Sequence, residues 1–274
     1  MEEIYQKIID FVKEKPKTIQ EVSQHIGKSW VTTEKYVQEI KKTSGKIDVR
    51  TFREGTRGAL KIVYSVMKES LISDAIKEDL FNKILMGKEK QDFDALDIFQ
   101  FVKDDKKKAS ITTIDGAHKP YLSFLSQTTN NLLLYSGNLS LLSEPNTGKE
   151  VIKLFENLLK QKVSIKIICK ISLATMKNIK LIENLIIKYS ELIEIHHCHQ
   201  PLRGAIIDNK IARLYCEENT QLYKKGELEK NSVITYDIFD SNWVSWLEQL
   251  FWYQFRNTLD YKNRLNELKK IKLS

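Results

Sequence analysis

The stretch TIQEVSQHIGKSWVTTEKYVQEI, residues 18–40, fixes the local fold more tightly than any other segment of the chain. Thr18 is a side chain that caps helices, and Glu21, three positions on, completes a capping box. Ile19, Val22 and Ile26 then give a short helix one apolar face. Gly27 supplies a turn, and Ser29 caps a further helix running to about Lys42 with Thr33, Val37 and Ile40 inward. Upstream, Ile4, Ile8, Phe11 and Val12 recur at helical spacing, and Pro16 disfavours helix at the residue before it. The order is helix, short helix, glycine turn, helix.

That order is the helix-turn-helix pattern. With Thr33, Val37 and Ile40 inward, the outer N-terminal face of the third helix carries Trp30, Val31, Thr32, Lys35 and Tyr36. Two segments of period two follow, KIDVRTF and ALKIVYSV, joined by REGTRG, whose two glycines and two arginines mark a basic hairpin tip. KSWVTTEKYVQEI resembles the recognition helix of bacterial and archaeal winged-helix regulators, and the basic hairpin resembles their wing. The resemblance implies that the outer face enters a major groove of double-stranded DNA. Trp30, Thr32, Lys35 and Tyr36 would then read base edges beside Ser29. Lys28, Arg53, Arg57 and Lys61 would hold phosphates and release counterions. Two readings of Trp30 stay open, toward DNA or packed on the first helix. A winged helix used only for protein contacts is the alternative, since a fold does not fix a function.

Composition agrees with an anionic partner. The formal net charge is +8 and the apolar fraction is 42%, so the chain can build real cores and still present a basic surface. Its 274 residues suit about two domains. The three cysteines, Cys169, Cys198 and Cys216, give no disulfide framework and point to a reducing compartment. The N-terminus lacks the charge order of a signal peptide, and no apolar run approaches the length of a membrane span. A cytoplasmic chain without membrane contact is expected.

Residues 1–66 therefore read as a winged helix-turn-helix domain and 67–112 as a helical linker. The linker carries an apolar stripe of Ile72, Ile76, Leu80 and Ile84, a second cluster of Phe93, Leu96, Phe99 and Phe101, and a charged run at 103–108 that reads as solvated. The stripe is either internal core or a dimer helix. A homodimer is favoured, and palindromic half-sites would follow.

From about residue 115 helices and strands alternate, through NLLLYSG, VSIKIICK, LIEIHHC, RGAIIDN, IARLYCE and SVITYDIF as strands, to one long last helix from Asn242. This argues an α/β sandwich with a mixed sheet over 113–274. No phosphate-binding glycine loop is present; EPNTGKE reads as the start of a helix at Thr147.

The segment IEIHHCHQPLRGAIIDNK, residues 193–210, concentrates the reactive side chains. On a strand, His197 and His199 share one face, with His196 and Cys198 on the other. Two histidines need further ligands to hold zinc, and neither C-x-x-C nor H-E-x-x-H occurs, so no metal is expected. The order of elements is similar to half of a phospholipase D-like fold, whose signature is H-x-K-x-x-x-x-D-x-x-x-x-x-x-G-S-x-x-N. Aligned on Asp208, the signature meets Pro201 at its histidine, Arg203 at its lysine, Tyr215 and Cys216 at Gly-Ser, and Asn219 at its asparagine. In that family the histidine is the nucleophile. Proline has no nucleophilic nitrogen, and arginine stays charged while its planar fork suits phosphate or carboxylate.

The resemblance thus implies a catalytically inactive domain with an anionic-effector pocket at Arg203, Asp208 and Asn219. Taken whole, the chain resembles archaeal TrmB-like transcription regulators: a dimeric DNA-binding protein needing no cofactor, with a C-terminal domain that senses an effector or dimerises. A phosphodiesterase or nuclease using a shifted His197 or His199, and a protein-interaction module, are the alternatives.

Overall fold

The computed structural model describes residues 2–52, 59–66, 74–145, 147–223 and 228–272. Helix α1 (Glu2–Glu14) ends before Pro16, and strand β1 (Lys17–Thr18) leads into α2 (Ile19–Ile26). The Thr18 hydroxyl accepts from the Glu21 N–H at 3.0 Å while the Glu21 carboxylate accepts from the Thr18 N–H at 2.7 Å. Gly27 ends α2 in the left-handed region at φ 63°, where a side chain would be strained. Helix α3 (Trp30–Ser44) follows, then β2 (Ile47–Phe52) and β3 (Leu60–Ser65), in a sheet of order β1-β3-β2. Ile8, Val12, Ile19, Val22, Val37, Ile40, Ile47 and Val63 form the core of this unit.

The hairpin is buried on both faces. Ile47, Val49 and Val63 face the helices, whereas Phe52, Leu60 and Ile62 belong to the core of the C-terminal half. Phe52 meets Tyr236 edge-on at 6.4 Å, Arg50 lies 4.9 Å from the Phe99 ring, and Lys107 lies 6.0 Å from that of Tyr64. The alternation expected from the sequence is present, and its Leu60–Ile62–Tyr64 face packs on the C-terminal half.

Helix α4 (Asp74–Met86) buries Leu80 and Ile84, with Ile76 and Phe81 packed beside them; Ile72 lies outside the described residues. The apolar stripe of the expected linker is thus internal core. A short helix α5 (Leu96–Phe99) buries Leu96 and Phe99 in the same place. The charged run is no free linker either. Lys107 opens β4 (Lys107–Thr113), which pairs antiparallel with residues 232–238 and so puts the end of the 67–112 segment inside the large sheet. Its side chain is 4% exposed, and its ammonium donates to the Phe99 carbonyl at 3.3 Å and pairs with Asp104 at 3.0 Å.

Then come α6 (His118–Leu125), β5 (Asn131–Tyr135), α7 (Gly148–Lys160), β6 (Ser164–Cys169), α8 (Met176–Lys180), α9 (Glu183–Lys188) and β7 (Ile193–His197). They are followed by β8 (Gly204–Ile207), β9 (Ile211–Glu218), β10 (Ser232–Ile238), α10 (Ser241–Arg256), β11 (Leu259–Asp260) and α11 (Tyr261–Lys272). The sheet order is β11-β7-β6-β5-β8-β9-β10-β4. The pairs β5–β6 and β6–β7 are parallel and the others antiparallel, giving the mixed sheet of an α/β fold. Parallel neighbours need crossovers, which α7 and the α8–α9 pair provide. Alternate residues serve two layers: Leu133, Tyr135 and Ile206 face α4 and α10, while Leu132, Leu134 and Ile207 face α6, α7, α9 and α11. Two expected helices are broken. The segment after β6 divides into α8 and α9, and the final helix stops at Arg256, where β11 pairs with β7 before α11 begins.

Candidate functional site

The face of α3 turned from the core is set by its own spacing. Ser29 accepts from the Thr32 N–H at 3.2 Å, and the Thr33 hydroxyl donates to the Ser29 carbonyl at 2.9 Å, which orients the first turn. With Thr33, Val37 and Ile40 buried, the stripe Val31, Lys35, Gln38 and Lys42 is exposed, Val31 by 61%. Lys28 and Ser29 are exposed at the turn before it. Gln38 and Lys42 continue the stripe beyond the first turn, to which sequence reasoning confined itself; the helical period alone would have found them.

Other side chains assigned to DNA lie differently. Trp30 is half-buried against the core of the N-terminal unit, with the Lys61 ammonium 5.1 Å from its ring. Lys61 also pairs with Glu34. It therefore stands on the helix side of β3, beside α3, rather than reaching out as a wing cation. Tyr36 packs on Tyr5 at 5.6 Å, and the Thr32 and Ser29 hydroxyls are hydrogen-bonded to each other at 2.8 Å. Arg53 and Arg57 lie outside the described residues.

A second site opens at the carboxyl ends of the parallel strands, the usual place for ligands in such sheets. It is a cavity of about 470 Å³. Ser136, Gly137 and Asn138 after β5, and Lys170 after β6, form its floor; Arg203, Tyr215 and Glu217 form one wall, with Glu89 and Lys90 at the rim. The Arg203 guanidinium donates through Nη1 to the Leu202 carbonyl at 2.7 Å and the Gln200 carbonyl at 3.1 Å. It lies so close over Gly137 that a Cβ there would stand 2.7 Å from Nη2. Lys170 pairs with Glu89 at 3.0 Å, and Lys90 pairs with Glu217. The Lys170 ammonium holds the Glu89 carboxyl below its ordinary range. Three cations and two carboxylates leave the lining one charge positive, suited to a small anion that competes with Glu89 for Lys170.

Asp208 and Asn219 do not join Arg203. Asp208 sits at the other end of β8, roughly 16 Å away at about 3.3 Å per residue. Its carboxylate accepts from the N–H groups of Thr129, Asn130 and Asn131 at 2.9, 2.7 and 3.0 Å. Burial opposes ionisation there, and those donors outweigh it, so the carboxyl stays below its usual range. Asn219 accepts from the Gln221 N–H at 3.0 Å. The expected three-residue pocket is corrected: both partners fasten turns, and Lys170, Glu89 and Glu217 stand with Arg203 instead.

The histidines divide as the strand period requires. The His196 ring stacks on Phe255 at 3.7 Å with Nδ1 against the Thr258 carbonyl, and Cys198 is buried beside it in the same layer. His197 and His199 meet at 5.1 Å on the other face. His197 Nδ1 accepts from the Ile171 N–H at 2.9 Å, and burial depresses its pKa to about 4. Neither ring lines the cavity. Among the described residues no three His, Cys, Asp or Glu side chains gather as metal ligands would, and no helix is long and apolar enough to cross a membrane.

No family model and no curated protein matches the chain. Among solved structures it is similar to TrmBL2, described as an archaeal chromatin protein with a novel mode of DNA binding, at 12% identity over 93% of this chain and 91% of that one, with a TM-score of 0.42. It is similar to Nuc, a phospholipase D family member from Salmonella typhimurium, at 15% identity over 57% of this chain and 99% of that one, TM-score 0.41. NucT from Helicobacter pylori matches at 12% identity over 57% of this chain and 100% of that one, TM-score 0.41.

Proposed function

We propose that this chain is a dimeric transcription regulator that binds double-stranded DNA through α3 and carries a non-catalytic, effector-binding C-terminal domain. The carrying observation is the exposed stripe of Val31, Lys35, Gln38 and Lys42 on a helix whose opposite side is locked into the N-terminal core. The long polar side chains of Lys35, Gln38 and Lys42 at that spacing suit base edges and phosphates, and the chain's net charge of +8 favours a polyanion. Burial of Phe52, Leu60 and Ile62 in the second domain would present α3 on a firm support. Dimerisation would place two such helices on related half-sites, and a cytoplasmic location suits the partner.

The effector reading rests on the Arg203–Lys170 cavity and favours a small anion. A non-catalytic role is supported by Pro201 at the nucleophile's position and by His197, whose Nδ1 is occupied by a backbone donor. The test is selection from a pool of random duplexes at two salt concentrations. Enrichment of a palindrome supports a sequence-specific dimer, and tight binding without enrichment supports a DNA-coating role. No binding at low salt would refute the DNA reading and favour a protein-interaction module.

A further inference from the structure

Two segments of the chain touch the cavity with one side and the surroundings of the helix-turn-helix unit with the other. The first is β9. Tyr215 and Glu217 line the cavity. The alternate residues Cys216 and Glu218 point the opposite way, as the period of a strand requires. The Cys216 thiol donates to Asp94 at 3.4 Å and accepts from the Ala95 N–H at 3.4 Å, while Glu218 accepts from the Tyr223 hydroxyl. The second segment runs from Gly87 to Asp97. It is folded back by the Asp92 carboxylate, which accepts from the Lys88 and Glu89 N–H groups at 2.8 and 2.9 Å. Glu89 and Lys90 reach the cavity through Lys170 and Glu217, and Asp94 reaches Cys216 behind it.

Beyond β9 the chain turns through Gln221 and Tyr223. These two face Gln20, Gln24, Lys28 and Trp30 across an open cleft of about 470 Å³. The electrostatics agree with that proximity. Burial raises the carboxyls of Glu218, to about 7, and Asp94, and both also feel the charge of Glu21 in α2.

We infer that the cavity and the helix-turn-helix unit are coupled through β9 and the 87–97 segment, so that an anion displacing Glu89 from Lys170 alters the setting of Tyr223 against the α2–α3 turn. This rests on the effector reading of the cavity and adds the route by which occupancy is felt. The switching element is discrete: Lys170 is held either by Glu89 or by the ligand. Release of Glu89 loosens the segment that carries Lys90, whose partner Glu217 is on β9. Any shift of β9 at Glu217 is delivered to Cys216 and Glu218 on the reverse face, because packed strands move as units.

The test is hydrogen exchange on the full chain with inorganic phosphate as probe, against chloride at matched ionic strength. Phosphate should slow exchange at 136–138 and change it by about fivefold or more at 18–30 and 219–223, the lower range of allosteric couplings. Glu217→Gln and Lys90→Ala break the same exposed ion pair from its two sides. Each should change exchange at 18–30 without phosphate. Phosphate protection at 136–138 with 18–30 unmoved, in wild type and both variants, would overturn the coupling. If phosphate protects nothing, the anion reading of the cavity fails and the two variants alone decide the coupling.

Discussion

Phe52→Ala probes the joint between the N-terminal unit and the C-terminal half of the chain. Phe52 is 4% exposed and meets Tyr236 of β10 edge-on, in a core shared with Leu60, Ile62, Phe99 and Ile238. Removing a buried phenylalanine ring costs about 3–5 kcal/mol, from lost transfer energy and the cavity left behind. At about 1.4 kcal/mol per tenfold, the lower figure is about a hundredfold in an opening equilibrium. Because the N-terminal unit has a separate core around Val37 and Ile40, the loss should fall on the joint. Urea unfolding should show the cost, and native-state hydrogen exchange should locate it. Amides of β2 and β3 should exchange faster together with those of β10, while Val37 and Ile40 keep more of their protection. A cost under about 1 kcal/mol, or faster exchange confined to 47–65, would refute a shared core at Phe52.

Asp208→Ala leaves three N–H groups without their acceptor and places alanine at φ 52°, so stability should fall by about 2 kcal/mol with phosphate affinity unchanged; weakened phosphate binding with stability intact would restore Asp208 to the cavity. Thr18→Ala removes the capping box of α2 and should cost about 1 kcal/mol, read by thermal unfolding; an unchanged midpoint would count against the box. The His197 imidazole should titrate near pH 4 by NMR. Its folded value lies below that of a free histidine, so it stabilises the fold fully above about pH 6.5, and that contribution is lost as pH falls through about 4. A midpoint near 6.5 would contradict the burial of the ring that lowers its pKa.

What was legible in the sequence was local. Thr18, Glu21, Gly27 and Ser29 announce their roles within a turn of the chain, and Thr33, Val37 and Ile40 follow from the helical period. The strands of the large sheet were legible from short apolar runs such as NLLLY, buried from Leu132 to Tyr135. Contacts far apart in the chain were not. Lys107 reads as part of a solvated run, yet Phe99 and Asp104 enclose it at the start of an edge strand. Lys61 reads as a wing cation, and only the register of β3 turns it toward Glu34 and Trp30. The cavity was half legible. Arg203 was found through a motif, but its companion Lys170 is linked to Glu89 across 81 positions, and no spacing rule joins them. Asp208 and Asn219 match the same motif, but the length of β8 separates Asp208 from Arg203, and the Asn219 side chain is taken up by the turn after β9.

DNA recognition by α3 is tested by the salt dependence of duplex DNA binding by the wild type and by a Lys28→Ala/Lys35→Ala double variant. Lys28 is exposed at the turn before α3 and Lys35 is exposed on the helix itself. If they neutralise phosphates, affinity should fall at every salt concentration, and the slope of log K against log salt should flatten by about 1.8, about 0.9 for each phosphate left without its lysine. Equal affinity and an unchanged slope in the folded variant would contradict DNA recognition by this face of α3.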